Sequence, residues 1–224
     1  MKKLPFYIIF FIIGIYSCTE FLSPDVSEET IEVISPSDAL FTSDSVLTFW
    51  WEENEDAENY RFQLVSPDFD NPSLIFDTLM LDNLLSLALA EGRYIWRVKI
   101  ENEGSESAYQ SRDFVLDQSM PLIAEALQPE SGGMLNMNAQ FLSWQSGDKP
   151  IDRERFAVSD SIYLYSTGAN PCLISSTFLD FEDEKRWDIS EFNLGLGKTY
   201  EWEIVSIDRA GNKNQSARLT FTLN

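Results

Sequence analysis

Gly92-Arg93-Tyr94-Ile95-Trp96-Arg97-Val98-Lys99-Ile100 is the stretch whose reading decides the fold. Tyr94, Trp96, Val98 and Ile100 alternate with Arg93, Ile95, Arg97 and Lys99. A helix returns apolar residues to one face every three to four positions, whereas successive side chains of a strand face opposite ways, so this alternation predicts a strand with one buried face. Working outward, Leu47, Phe49 and Trp51 alternate with Val46, Thr48 and Trp50, and Tyr60, Phe62 and Leu64 with Arg61 and Gln63. Leu142 and Trp144, then Tyr200, Trp202 and Ile204, then Leu219, Phe221 and Leu223 repeat the pattern. Short alternating runs punctuated by Asn, Asp, Gly, Ser and Pro predict an all-β sandwich of antiparallel strands. Residues 79–90, rich in Leu, are the one stretch read as a helical turn between strands.

The pattern occurs twice. Pro36 lies 15 residues before Trp51 and Pro129 lies 15 before Trp144; Trp96 lies 18 before Phe114 and Trp202 lies 19 before Phe221. Recurring landmarks of this kind mark two copies of one unit. Asp117-Gln118-Ser119-Met120-Pro121 is a short polar joint, so the domains are expected at 31–117 and 122–224, each long enough to enclose a core.

Four stretches of the first copy resemble a fibronectin type III domain. They are Pro36 to Trp51, Ala57-Glu58-Asn59-Tyr60-Arg61-Phe62-Gln63-Leu64, Gly92 to Val98, and Asn102-Glu103-Gly104-Ser105-Glu106-Ser107. In the second copy Trp144, Gly197-Lys198-Thr199-Tyr200-Glu201-Trp202-Glu203-Ile204 and Asp208-Arg209-Ala210-Gly211-Asn212 fit, with a longer third strand and insertions in the loops. The resemblance covers 31–224 and implies two tandem fibronectin type III or immunoglobulin-like sandwiches, a fold and not an activity. It also implies that Tyr94 and Tyr200 are tyrosine-corner residues, their hydroxyls bonded to upstream backbone.

At the start of the chain Met1-Lys2-Lys3 precedes an apolar run from Leu4 to Tyr16, closed by Ser17-Cys18. The run is short for a membrane-spanning helix and has the form of an export signal. Ile15-Tyr16-Ser17-Cys18 resembles the lipobox of bacterial lipoproteins, with Tyr16 bulkier than that pattern favours. The resemblance implies that residues 1–17 are a signal peptide and that Cys18 is acylated, anchoring the protein to the outer membrane. An uncleaved anchor and a plain secretory signal are the alternatives. Residues 18–30 lack a period and carry four acids, which reads as a flexible tether. Acids soon after the Cys resemble the surface-export signals of some outer-membrane lipoproteins, so surface exposure is preferred to a periplasm-facing position.

Composition excludes several functions. The formal charge is −21, and −23 without residues 1–17 (14 basic against 37 acidic side chains). Nucleic-acid binding needs Lys and Arg against phosphates, so nucleic acid is not an expected partner. With no His, the usual catalytic triads and most zinc sites are ruled out. If Cys18 carries lipid, Cys172 has no partner for a disulfide, and it reads as a half-buried strand residue. Asp180, Glu182 and Asp183, and separately Asp68 with Asp70, could offer oxygens to Ca²⁺, but neither group has a recognised ligand spacing and a solvated loop is the plainer reading. No catalytic residue and no cofactor is implied, and the chain is read as a non-enzyme.

Binding is the remaining class. If Phe49 and Trp51 point inward, Trp50 points outward, and Phe141 likewise beside Leu142. Trp187 next to the acidic cluster is the third candidate. An exposed Trp can dock a partner protein or stack on a sugar ring. Two functions follow: a lipid-anchored interaction module that binds another envelope protein through its sandwich surfaces, and a glycan-binding accessory lipoprotein of a nutrient-uptake system.

Overall fold

The computed structural model describes residues 23–138, 140–145, 147, 158–168, 171–179 and 184–224. The first half contains β1 (Val33–Ser35), β2 (Leu40–Thr42), β3 (Val46–Trp51), β4 (Tyr60–Ser66), β5 (Ser73–Met80), β6 (Leu84–Ala88), β7 (Gly92–Asn102), β8 (Ser105–Glu106) and β9 (Gln110–Leu116). The second contains β10 (Glu125–Gln128), β11 (Gly133–Leu135), β12 (Phe141–Gln145), β13 (Val158–Ser166), β14 (Leu173–Leu179), β15 (Glu184–Asp188), β16 (Thr199–Asp208), β17 (Lys213–Gln215) and β18 (Leu219–Leu223).

Each half is a sandwich of the fibronectin type III-like kind. A three-stranded sheet, β1-β3-β6, faces the sheet β2-β9-β7-β4-β5, with β8 beside β7; β10-β12-β15 faces β11-β18-β16-β13-β14, with β17 beside β16. Proline explains why the first strand of each copy changes sheets. Pro36 and Pro129 have no N–H to continue a ladder, so pairing stops there, and β2 and β11 resume it in parallel on the opposite sheet.

The alternation seen in the sequence sets what each sheet buries. Phe49 and Trp51 from one sheet meet Phe62, Trp96 and Phe114 from the other, and Phe49 lies 5.1 Å from both Phe62 and Trp96 in edge-to-face contact. Trp144, Ile162, Leu164, Trp202, Ile204 and Phe221 build the second core. Tyr94 Oη donates to the carbonyl of Ala90 at 2.8 Å, and Tyr200 Oη accepts the N–H of Gly195 at 2.7 Å, so both close corners onto upstream backbone.

Two expectations are corrected. Residues 79–90 are not a helical turn: they end β5 and form β6, with Leu87 opposite Leu47 and Leu85 opposite Phe49. Leu favours helix in isolation, but pairing with β3 satisfies the backbone and packs half-buried Leu85, Leu87 and Leu89 against the core, and that tertiary gain outweighs propensity. Nor is the described part of the tether free. Val26 is wholly buried in the first core, its N–H bonds Ser105 Oγ at 3.1 Å, and the Pro24 carbonyl accepts Asn102 Nδ2 at 3.1 Å. The joint between the copies is held in a similar way, since Asn212 and Asn214 side chains donate to the carbonyls of Asp117 and Pro121 at 2.7 and 2.9 Å.

The two cores differ in one respect. Asp160 occupies the place of Tyr60, Ser206 that of Ile100, and Lys185, opposite Trp144, that of Asn83 beside Trp51. Lys185 Nζ lies 2.9 Å from Asp160 Oδ2 with both side chains at 0% exposure, and Trp144 Nε1 and Ser206 Oγ donate to the same carboxylate at 2.9 and 2.7 Å. A buried pair adds little over an apolar replacement of similar volume, but losing one partner strands the other charge. Lys185→Met should therefore destabilise the second domain by about 3–5 kcal/mol. Urea unfolding should show Asp160→Tyr/Lys185→Asn/Ser206→Ile, the first domain's own set, costing far less than the single change.

Candidate functional site

The outward face of β1-β3-β6 carries the largest aromatic side chain left open in the first domain. Strand β3 reads exposed, buried, exposed, buried, exposed, buried from Val46 to Trp51. Trp50 is 43% exposed, and its cross-strand neighbour Leu84 is 51% exposed. Next along the face Thr48 Oγ1 meets Ser86 Oγ at 2.9 Å, and Val46 stands opposite Ala88. Leu79, in β5, and Leu81, in the bend between β5 and β6, are also exposed. Aliphatic and aromatic side chains paired this way stabilise the strand contact, but they leave apolar area in water.

The other two candidate residues lie in the second domain and do not join Trp50. Phe141 on β12 is half-buried, with the Arg186 guanidinium 3.6 Å above its ring, so the protein's own cation covers it. Trp187 is opposite Leu142, faces inward, and packs edge-to-face on Phe192 at 5.5 Å. Its register, shared with Lys185, turns it toward the core, against which it packs half-buried. Cys18 and the acids Asp180, Glu182 and Asp183 lie outside the described residues. Among the described residues no group of three or more His, Cys, Asp or Glu is arranged to hold a metal ion. Asp68 Oδ1 accepts the N–H groups of Asp70 and Asn71 at 3.0 and 2.9 Å, which gives it a turn-forming role. Cys172 is exposed and precedes β14, correcting its expected place in a strand; Ser166 Oγ lies 3.1 Å from its sulfur.

Sequence reasoning missed the polar clusters on the larger sheets. Arg97 lies between the rings of Phe69 and Tyr109, 3.9 and 4.1 Å from their centres, while its Nε donates to Gln63 Oε1 at 2.8 Å. The guanidinium covers one face of each of these rings. In the second domain Tyr165 Oη donates to Glu203 Oε1 at 2.6 Å, Gln215 and Arg218 bind the other carboxylate oxygen, and Arg218 lies 4.3 Å over the Tyr165 ring. The signal was available in the strand period: Arg97 and Gln63 alternate with core residues, as do Glu203 and Tyr165. What the sequence does not carry is the strand pairing that brings them together.

Burial, then the hydrogen bond to Glu203, pushes the Tyr165 hydroxyl up to about 12. Burial raises Glu203 too, but hydrogen bonds from Tyr165, Gln215 and Arg218 outweigh it and hold the carboxyl below its ordinary range. This is the signature of a structural clasp.

The sequence matches no protein-family model and no curated protein. Among solved structures it is similar to the FN1–FN3 domains of chicken CNTN1, at 12% identity over 86% of this chain and 66% of that one, with a TM-score of 0.48. It is also similar to the fibronectin(III)-like modules of Clostridium thermocellum CbhA, at 13% identity over 87% and 93% of the two chains, TM-score 0.45. A two-domain fibronectin type III segment of chicken tenascin aligns at 16% identity over 85% and 95%, TM-score 0.31.

The raised Tyr165 gives a sign to the alkaline stability of the second domain. The folded state keeps the phenolic proton after the unfolded chain releases it, so the contribution is complete below pH ~10 and is lost as pH rises toward about 12. Between those values the melting temperature of the wild-type protein should fall more steeply than that of Tyr165→Phe.

Proposed function

We propose that this chain is a lipid-anchored, non-catalytic interaction module of a bacterial cell envelope, held in the outer membrane through Cys18. Its first sandwich docks another envelope protein on the outward face of β1-β3-β6. The observation that carries this reading is the pairing of exposed Trp50 with exposed Leu84 on a sheet whose other face is already filled. A Trp held rigidly by a strand loses little conformational freedom when it binds, which is why such residues recur among the few that dominate interface energetics. The non-catalytic part of the reading rests on the sequence, which contains no His, the commonest general base. The segment around Val26, eight residues after Cys18, docks on the first domain, which supports a first domain held close to the proposed anchor.

Trp50→Ala should leave the melting temperature of the first domain within about 2–4 °C of wild type, since surface changes rarely exceed ~0.5 kcal/mol. The same change should weaken capture of the envelope partner by more than ~1 kcal/mol. Unchanged capture together with a large loss of stability would mean that Trp50 belongs to the core. A glycan-array signal lost in Trp50→Ala would move the reading to sugar binding. For the anchor, Cys18→Ser should abolish acyl labelling and membrane retention; retained label would overturn lipidation at this residue.

A further inference from the structure

We infer that the partner of the Trp50 face is a protein surface that presents a cationic side chain, a guanidinium above all, set among apolar residues. The inference rests on the docking reading above and specifies its chemistry. After Lys3 the first basic residue is Arg61, and none occurs in residues 78–92, so β1, β3, β6 and the turns at their ends carry no positive charge. They do carry acids. The Glu52 N–H donates to the Glu32 carbonyl at 2.8 Å, continuing the Val33–Trp51 register, so these two residues stand side by side across the strands. Alternation puts both on the outward face with Trp50, and exposed Asp82 comes two residues before Leu84 on the third strand. Among the described residues none of the three carboxylates has a side-chain hydrogen bond or an ion pair. Like charges directly opposite in a sheet repel, so the face holds an unrelieved negative row beside an open indole.

The opposite sheet of the same domain is different. There Asp77 pairs with Arg61 at 2.5 Å, Asp113 with Arg93 at 3.4 Å, and Glu101 with Lys99 at 3.5 Å, while Glu106 also contacts Lys99. The second domain shows what completes such a face. At the place of Glu52 it has Gln145, whose Nε2 donates to Glu125 at 2.9 Å, and at the place of Leu84 it has Arg186, which covers Phe141. One copy thus supplies its own cation over its own aromatic ring and replaces one of two facing acids, and the other copy does neither. The missing piece is a cation that can lie over an indole and bond carboxylates, and a planar guanidinium does both. A second copy of this chain would bring carboxylates against carboxylates. Nucleic acid and anionic lipid would be repelled in the same way. Attraction of this kind steers encounter and weakens as salt screens it.

The test is a titration of the full-length chain, followed by the Trp50 indole N–H resonance. The probes are acetyl-Leu-Arg-Leu-amide and its uncharged isostere acetyl-Leu-citrulline-Leu-amide. The arginine peptide should produce a saturable shift, at least about fivefold tighter than the citrulline peptide and weaker at high salt. Glu32→Gln/Glu52→Gln should remove that preference. Equal binding of the two peptides, no saturable shift, or perturbation centred on β4, β7 and β9 would overturn the inference. The docking reading is scored separately, by photo-cross-linking in cells from position 48. Cross-links lost in Trp50→Ala but kept in Glu32→Gln/Glu52→Gln would leave docking standing and this inference fallen, whereas cross-links that survive both changes would remove both.

Discussion

The dipeptide Trp50-Trp51 cannot bury both of its indoles. Strand alternation sends adjacent side chains to opposite faces, and Trp51, stacked on Phe62 at 6.0 Å and edge-to-face with Tyr60 at 5.6 Å, is fixed inside. The core of the first domain therefore dictates that Trp50 stand outside. Slipping the register by one residue would bury Trp50 only by expelling Phe49 and Trp51 together, at a cost that no local contact could offset. Exposure of Trp50 is thus a consequence of the burial of Leu47, Phe49 and Trp51 on the same strand, and the sequence keeps a large aromatic there where Thr or Ser would serve the strand as well. At the equivalent outward place the second copy has Ser143.

Duplication gives each domain a built-in comparison. The two share the sheet-switching proline, the tyrosine corner, and a serine whose hydroxyl accepts a backbone N–H at the start of the closing strand, Ser107 from Ile100 and Ser216 from Ile204. They also share a one-residue bulge, between β4 and β5 in the first copy and between β13 and β14 in the second, where Ile75 and Ile174 are the extra residues. Their differences are concentrated. The second copy places a charged pair in its core and covers its outer aromatic with Arg186; the first keeps an apolar core and an uncovered indole. Tandem repeats of similar sequence risk exchanging strands during folding. A strand of the second domain inserted into the first would bury Lys185 or Asp160 without its partner, which opposes such an exchange.

Much of this was legible from alternation alone. Both sandwiches and the outward direction of Trp50 follow from the period of the strands and the spacing of Trp, Phe and Pro, whereas the two tyrosine corners came only with the family resemblance. Strand β6 was not legible, because Leu84 to Leu89 lacks the β-branched residues that mark strands and its stability comes from pairing with β3. The docking of Val26 was also hidden, since a single apolar residue in an acidic, aperiodic stretch gives no pattern. Asp160 could have been found: it shares the inward register of Ile162 and Leu164, and an acid at such a position demands a buried partner. Which residue that partner would be depends on strand order, and strand order is a tertiary fact.

The β1-β3-β6 sheet of the first domain is filled on its inner face and left incomplete on its outer one, and the proposed docking function falls on the incomplete face. Hydroxyl-radical footprinting of the purified protein and of the protein in intact envelopes tests this most directly. Trp50 should be oxidised readily in the purified protein and protected in the envelope, with Trp51 unmodified in both. Equal oxidation of Trp50 in the two states would contradict the assignment of that face to a partner.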